Sequence, residues 1–110
     1  MDRVRFVAEV DGKTAGTVGA GPGEISGSAA LTALWVDPLY RRQGVGSALI
    51  DAVVDWAKSE GLSHVLLWVT ESNQNAERLY ERLGFVRTGR VTVVRPDEDR
   101  LEYEMAMWFG

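Results

Sequence analysis

Apolar and polar residues alternate from Val4 to Val10, with Val4, Phe6, Ala8 and Val10 on one face and Arg5, Val7 and Glu9 on the other. That period of two predicts a half-buried strand. Asp11-Gly12 follows directly, and an extended pattern of small residues resumes from Thr14 to Ala20. The two runs therefore read as a hairpin closed by a tight turn. Gly21-Pro22-Gly23 is expected to break the second strand. A third strand is predicted over Ser28 to Val36, where Leu34, Trp35 and Val36 are apolar on both faces, as in a buried central strand. Asp37-Pro38 ends it.

From Val45 the period changes. Val45, Ala48, Leu49, Ala52, Val53, Trp56 and Ala57 fall on one helical stripe, Asp51, Asp55 and Lys58 lie off it, and Gly61 supplies a stop. His64 to Val69 is a short apolar run suited to a buried strand, so strand, helix and strand form a right-handed βαβ unit with parallel strands. Ser72 or Asn73 caps a second helix in which Ala76, Leu79, Tyr80 and Leu83 share a face, and Gly84 ends it. Phe85 to Val94 and Leu101 to Trp108 read as a closing antiparallel hairpin around a polar turn from Pro96 to Asp99. The expected order is β-β-β-α-β-α-β-β, an α/β chain of the α+β type with one mixed sheet and helices packed on it.

Composition narrows the function classes. The 110 residues, 45% hydrophobic and 25% charged, suit one ordinary globular domain spanning residues 1–110. The net charge of -4 argues against a nucleic-acid binder and is compatible with a basic substrate such as an amine. Without cysteine there are no thiol nucleophiles or thiolate metal sites, and one histidine, His64, leaves little for an imidazole metal cluster. No apolar run approaches the roughly 18 residues of a membrane span. The expectation is a cytoplasmic protein with no membrane contact and no metal.

The junction after the third strand carries the most chemistry. Arg41-Arg42-Gln43-Gly44-Val45-Gly46 links a strand directly to a helix. The first N–H groups of that helix lack intrahelical partners and point along its positive end, a geometry that binds phosphate. Gly44 and Gly46 permit backbone angles and close approach that a Cβ would block. Arg41 and Arg42 bring cations to the rim, which suits a diphosphate. No Gly-Lys-Ser/Thr follows, so this is not a nucleotide P-loop, and the third glycine of the dinucleotide fingerprint is missing.

Arg41, Gly44 and Gly46 resemble the Arg/Gln-x-x-Gly-x-Gly/Ala signature of the GNAT superfamily of acetyltransferases at this junction. Asn73 to Phe85 is similar to the same family's Asn-x-x-Ala-x-x-Leu-Tyr-x-x-Leu-Gly-Phe. The resemblance covers nearly the whole chain. It implies an acetyl-CoA-dependent transferase acting on a primary amine of a small molecule or peptide, or a coenzyme A-binding module without catalysis. By this likeness Trp35 and Val36 line the pantetheine arm through main-chain atoms. Main-chain N–H groups from Arg42 or Gln43 through Gly44, Val45, Gly46 and Ser47 hold the pyrophosphate. Asn73 matches the asparagine near the cofactor arm, while Asn75, without a family role, is read as a helix cap. Tyr80 matches the tyrosine near the cofactor sulfur, where it serves as general acid to the departing thiolate.

The chain departs from the family in two respects. Relatives carry a glutamate about six residues before the position of Val36, where this chain has Ala30. Glu71 is then the best remaining candidate base, with Glu24 behind it. His64 stands at the start of its strand, away from the expected cofactor site, and is read as a surface or core residue. Relatives also carry a further strand and helices before the first hairpin, so the acceptor site is either open or walled by a partner subunit. Met105, Met107, Trp108 and Phe109 are read either as a dimer surface or as one packed face of the last strand.

Overall fold

The computed structural model describes residues 2–94 and 100–109; the predicted turn from Pro96 to Asp99 lies outside them. The elements are β1 (Val4–Val10), β2 (Lys13–Pro22), β3 (Ser28–Val36), α1 (Val45–Ser59), β4 (His64–Thr70), α2 (Gln74–Arg82), β5 (Val86–Val93) and β6 (Leu101–Trp108). Their order is the one the hydrophobic pattern predicts. The sheet runs β1-β2-β3-β4-β6-β5, with β3 parallel to β4 and the other neighbours antiparallel.

Local chemistry explains most boundaries. Asp11 and Gly12 both have positive φ, 50° and 77°, as a two-residue hairpin turn twisted with its strands requires. At the end of α1, Gly61 has φ 76° and Leu62 N–H returns to the Ala57 carbonyl at 3.0 Å, which closes the last turn. Asp37 ends β3 and starts a 3-10 turn over Pro38–Tyr40 by accepting the Leu39 N–H at 2.9 Å. Gly21-Pro22 does not break β2: Gly21 pairs with Ala30 and Pro22 with Ala29. Proline fits there because β1 pairs with β2 only as far as Ala20, so at Pro22 the strand is no longer flanked on both sides.

Both helices lie on one face of the sheet. Val65, Leu67 and Val69 of β4, Met105 of β6 and Tyr80 of α2 join the buried side of α1 in one cluster. That side is Val45, Leu49, Ile50, Val53, Val54 and Ala57, so the stripe is rotated toward Ile50 and Val54 and leaves Ala48 exposed. Burying a side chain of this size contributes about 1.5–3 kcal/mol. Phe85, expected to open the closing strand, instead precedes β5 as one of the largest fully buried side chains.

The position of the site follows from where β3 and β4 part. They pair only at Ser28–His64, Ala29–Val65 and Ala30–Leu66. Further along, β3 gains one residue relative to β2, whose Thr17 and Gly19 oppose Trp35 and Thr32. Ala33, inside this bulge, has φ 52°. The bulge bends β3 and keeps it on β2 while it leaves β4. Trp35 is consequently 47% exposed and not buried on a central strand, as the apolar run had suggested.

The other face of the sheet carries no helix among the described residues. Val7, Trp35, Trp68, Val86 and Trp108 project from it and are 38–67% exposed.

Candidate active site

The start of α1 forms one wall of a cavity of about 550 Å³. Gly44, with φ 80°, precedes the helix, and no side chain caps it. The first intrahelical bond runs from Ala48 N–H to the Gly44 carbonyl at 3.0 Å, so Val45, Gly46 and Ser47 N–H groups have no partner within the helix. A Cβ on Gly44 would meet nothing within 4 Å, so this glycine answers to its backbone angle. A Cβ on Gly46 would sit 3.2 Å from Leu79 Cδ2 and 3.7 Å from Val36 Cγ2, so this glycine answers to the close approach of α1, α2 and β3. Arg42 is itself left-handed, with φ 64°.

Val36, Arg41, Arg42, Gly44, Val45, Gly46 and Ser47 all border this cavity. Gln43 does not; its Nε2 donates to the Leu39 carbonyl at 3.4 Å and braces the turn. The sequence pattern missed the opposite wall, where Asn75, Arg78, Leu79 and Arg82 project from α2. Their spacing of three and four residues was the available signal.

A smaller cavity of about 220 Å³ fills the gap between β3 and β4. Ala33 and Leu34 line one side, Leu67 to Thr70 the other, and Asn73, Ala76 and Tyr80 close it from α2. Ala76 borders both cavities, so they adjoin at the first turn of α2. Asn73 caps that helix, its side-chain oxygen accepting Ala76 N–H at 3.2 Å. Asn75 is therefore not the cap; it is the second residue of α2, exposed and bordering the larger cavity. Tyr80 is 93% buried by its 7% exposure, with its ring tilted 59° against Phe85 at 5.8 Å. Burial raises its hydroxyl pKa above the usual 10.0, so at neutral pH it holds its proton.

Trp35 and Glu71 border neither cavity. The Trp35 side chain lies on the helix-free face, while beyond Ala30 no β3 residue pairs with β4. Glu71 follows Thr70, but its Oε1 accepts Leu101 N–H at 3.1 Å, which ties the end of β4 to the start of β6. Glu24 borders a separate shallow hollow with Trp68 and Arg90. His64 is buried, stacked 3.7 Å from Trp108, with Nδ1 2.8 Å from Ser63 Oγ. Met105 is fully buried and Met107 and Phe109 pack at the core margin, which leaves Trp108 as the outward member of that cluster.

A mixed sheet parted between two parallel strands, with an uncapped helix start at one mouth and a buried tyrosine in the gap, defines a cleft fitted to an extended, phosphate-bearing ligand. The acetyltransferase (GNAT) family matches over residues 1–85, and the chain belongs to that family. An uncharacterized N-acetyltransferase of Methanocaldococcus jannaschii is 40% identical over 85 residues, covering 73% of this chain and 38% of the relative. Nourseothricin acetyltransferase superimposes with a TM-score of 0.89 at 30% identity, over 97% of this chain and 65% of that one. A Bacillus anthracis protein assigned as a streptothricin acetyltransferase, solved with acetyl coenzyme A, superimposes at 0.91 with 23% identity, over 100% of this chain and 64% of that one. The chain thus spans about two fifths of the length of the curated relative.

Proposed function

We propose that this chain transfers the acetyl group of acetyl-CoA to a primary amine of a small molecule or peptide, in the cytoplasm. The observation that carries this reading is the adjacency of the two cavities, which meet at Ala76 between the uncapped start of α1 and Tyr80. The residues present fit the donor. Free N–H groups of Val45, Gly46 and Ser47 suit its diphosphate, and the parted edge of β3 suits the amide-bearing pantetheine arm. The acetyl-CoA complex of the Bacillus anthracis protein supports the choice of donor.

In the reaction the neutral amine attacks the thioester carbonyl, the C–N bond forms, and the C–S bond breaks. Tyr80, protonated at neutral pH, gives its proton to the departing thiolate, while the acetylated nitrogen sheds one proton to water and Tyr80 is reprotonated from solvent. The ammonium form of the acceptor must first lose a proton. Glu71, one residue beyond the cleft-lining Thr70, takes that role through water. A dimer formed through the helix-free face belongs to the same proposal.

A second reading, a coenzyme A-binding module without turnover, is favoured by one observation: neither cavity is lined by a carboxylate. Thermal unfolding with acetyl-CoA and coenzyme A, followed by thiol release across a panel of amines, separates the two. Ligand at about 100-fold its Kd adds roughly 2.7 kcal/mol of stability. The expected result is stabilisation together with thiol release for at least one amine. Stabilisation without release across the panel would leave the binding module, and no stabilisation would remove both.

A further inference from the structure

The chain carries 12 basic and 16 acidic residues, yet the cavity at the start of α1 is lined by Arg41, Arg42, Arg78 and Arg82 and by no Asp or Glu. The ion pairs among the described residues are Arg87–Glu77 and Arg90–Glu104, so none of these four guanidinium groups is neutralised there. Arg78 and Arg82 stand four residues apart on α2, where like charges repel. The acids interleaved with them are turned elsewhere: Glu77 grips Arg87 with both oxygens, and Glu81 acts on that same arginine. An unneutralised pair of arginines facing a cavity is placed for an anion.

The anion is not the diphosphate alone. A diphosphate ester brings about two negative charges, and Arg41, Arg42 and the positive end of α1 already border its cradle. A phosphomonoester adds about 1.5–2 negative charges at pH 7 and three acceptor oxygens, which matches two further guanidinium forks. Coenzyme A has such a group, the 3′-phosphate on its ribose. We propose that Arg78 and Arg82 form a clamp for this 3′-phosphate, distinct from the diphosphate cradle of α1, and so select coenzyme A over its dephospho form. This rests on the assignment of acetyl-CoA as donor.

Calorimetric titration of the whole chain with coenzyme A and with 3′-dephospho-coenzyme A tests it. Wild type is expected to bind coenzyme A at least roughly tenfold more tightly, the worth of one hydrogen bond to a charged group. In Arg78→Gln/Arg82→Gln, coenzyme A affinity should fall to the dephospho level, while dephospho-coenzyme A affinity stays within about twofold of wild type. Both arginines are exposed, so folding should survive, as circular dichroism will show. Equal binding of the two ligands by wild type overturns the clamp without any variant and leaves the donor assignment standing. Equal weakening of both ligands in the double variant also overturns it, because the arginines then serve the diphosphate. No binding of either ligand removes the donor assignment and the clamp together.

Discussion

The two faces of the sheet are built by different rules. On the helix side, position is over-determined: Gly44 sets a backbone angle, Gly46 admits Leu79, Asn73 caps α2, and Tyr80 is held against Phe85. On the other side, Val7, Trp35, Trp68, Val86 and Trp108 stand largely exposed with no helix over them among the described residues. Exposed tryptophans on that scale mark a surface suited to further apolar contacts. The proposed donor site is thus fixed by close packing, whereas the helix-free face is left open among the described residues.

The largest effect expected to sharpen this contrast comes from Tyr80→Phe. The substitution keeps the ring on Phe85 and removes the proton donor. We expect kcat to fall about 10²–10⁴-fold, with the Kd for acetyl-CoA, by titration, within about twofold of wild type. Unchanged kcat would take Tyr80 out of the chemistry. Glu71→Gln comes next. An amide oxygen still accepts Leu101 N–H, so the tie between β4 and β6 survives while the charge is lost. If Glu71 draws the acceptor's proton through water, kcat/KM falls about tenfold or more. If kcat/KM stays at the wild-type value, Glu71 is a structural tie and the proton leaves by another route.

The contrast also governs what could be read from sequence. The start of α1 was legible because a strand, two glycines at fixed spacing and an apolar helical stripe each leave a mark in residue type. The parting of β3 from β4 was not, because the bulge rests on Ala33 in a left-handed conformation, and alanine gives no turn signal. The bulge shifts the alternation by one residue, so Trp35 faces outward from a run that looked buried. Arg78 and Arg82 were missed for another reason. On a helix of alternating charge they read as a solvated face, and only the placement of α2 against α1 turns them into a cavity wall. Glu71 was legible as a carboxylate near the site, but its bond to Leu101 spans 30 positions and leaves no local trace.

A smaller effect is expected from Gly44→Ala. A Cβ there touches nothing, so the cost is conformational, about 1–2 kcal/mol for an L-residue at positive φ. Relief of that strain reorients the N–H groups at the start of α1. Affinity for acetyl-CoA should fall roughly tenfold while kcat at saturation is retained, the reverse of the split expected for Tyr80→Phe. Loss of kcat instead would mean that the turn and the cleft are one mechanical unit.

Glu77→Gln probes how α2 is anchored. Arg87 Nε and Nη2 each donate to a Glu77 oxygen at 2.8 Å, joining α2 to β5, with the guanidinium 4.1 Å from the Tyr103 ring centre. These bonds hold the Glu77 carboxyl below its usual 4.5. A carboxylate with a lowered folded-state pKa stabilises the fold above its unfolded value, and that stabilisation is lost as pH falls through the lower folded value. Wild type should therefore have a higher Tm than Glu77→Gln at pH 7, and the gap should close as pH drops below 4.5. A gap independent of pH would assign the difference to packing.

The smallest effect on the fold is expected on the helix-free face, where Val86→Lys replaces a side chain that is 62% exposed. Val86 pairs with Ala106, which pairs with Leu66, so it projects away from both helices and from both cavities. Substitution of an exposed residue clear of caps, ion pairs and cavities changes stability by about 0.5 kcal/mol or less. Tm and acetyl-CoA affinity should therefore match wild type, whereas a charge on an apolar contact surface should weaken association of copies, seen by sedimentation as a shift toward monomer. A large fall in Tm at low protein concentration would show that this face is packed within one chain and would break the comparison. Unchanged sedimentation with unchanged Tm would remove Val86 from any dimer contact, and the proposed dimer would then have to rest on the Trp108 end of the face.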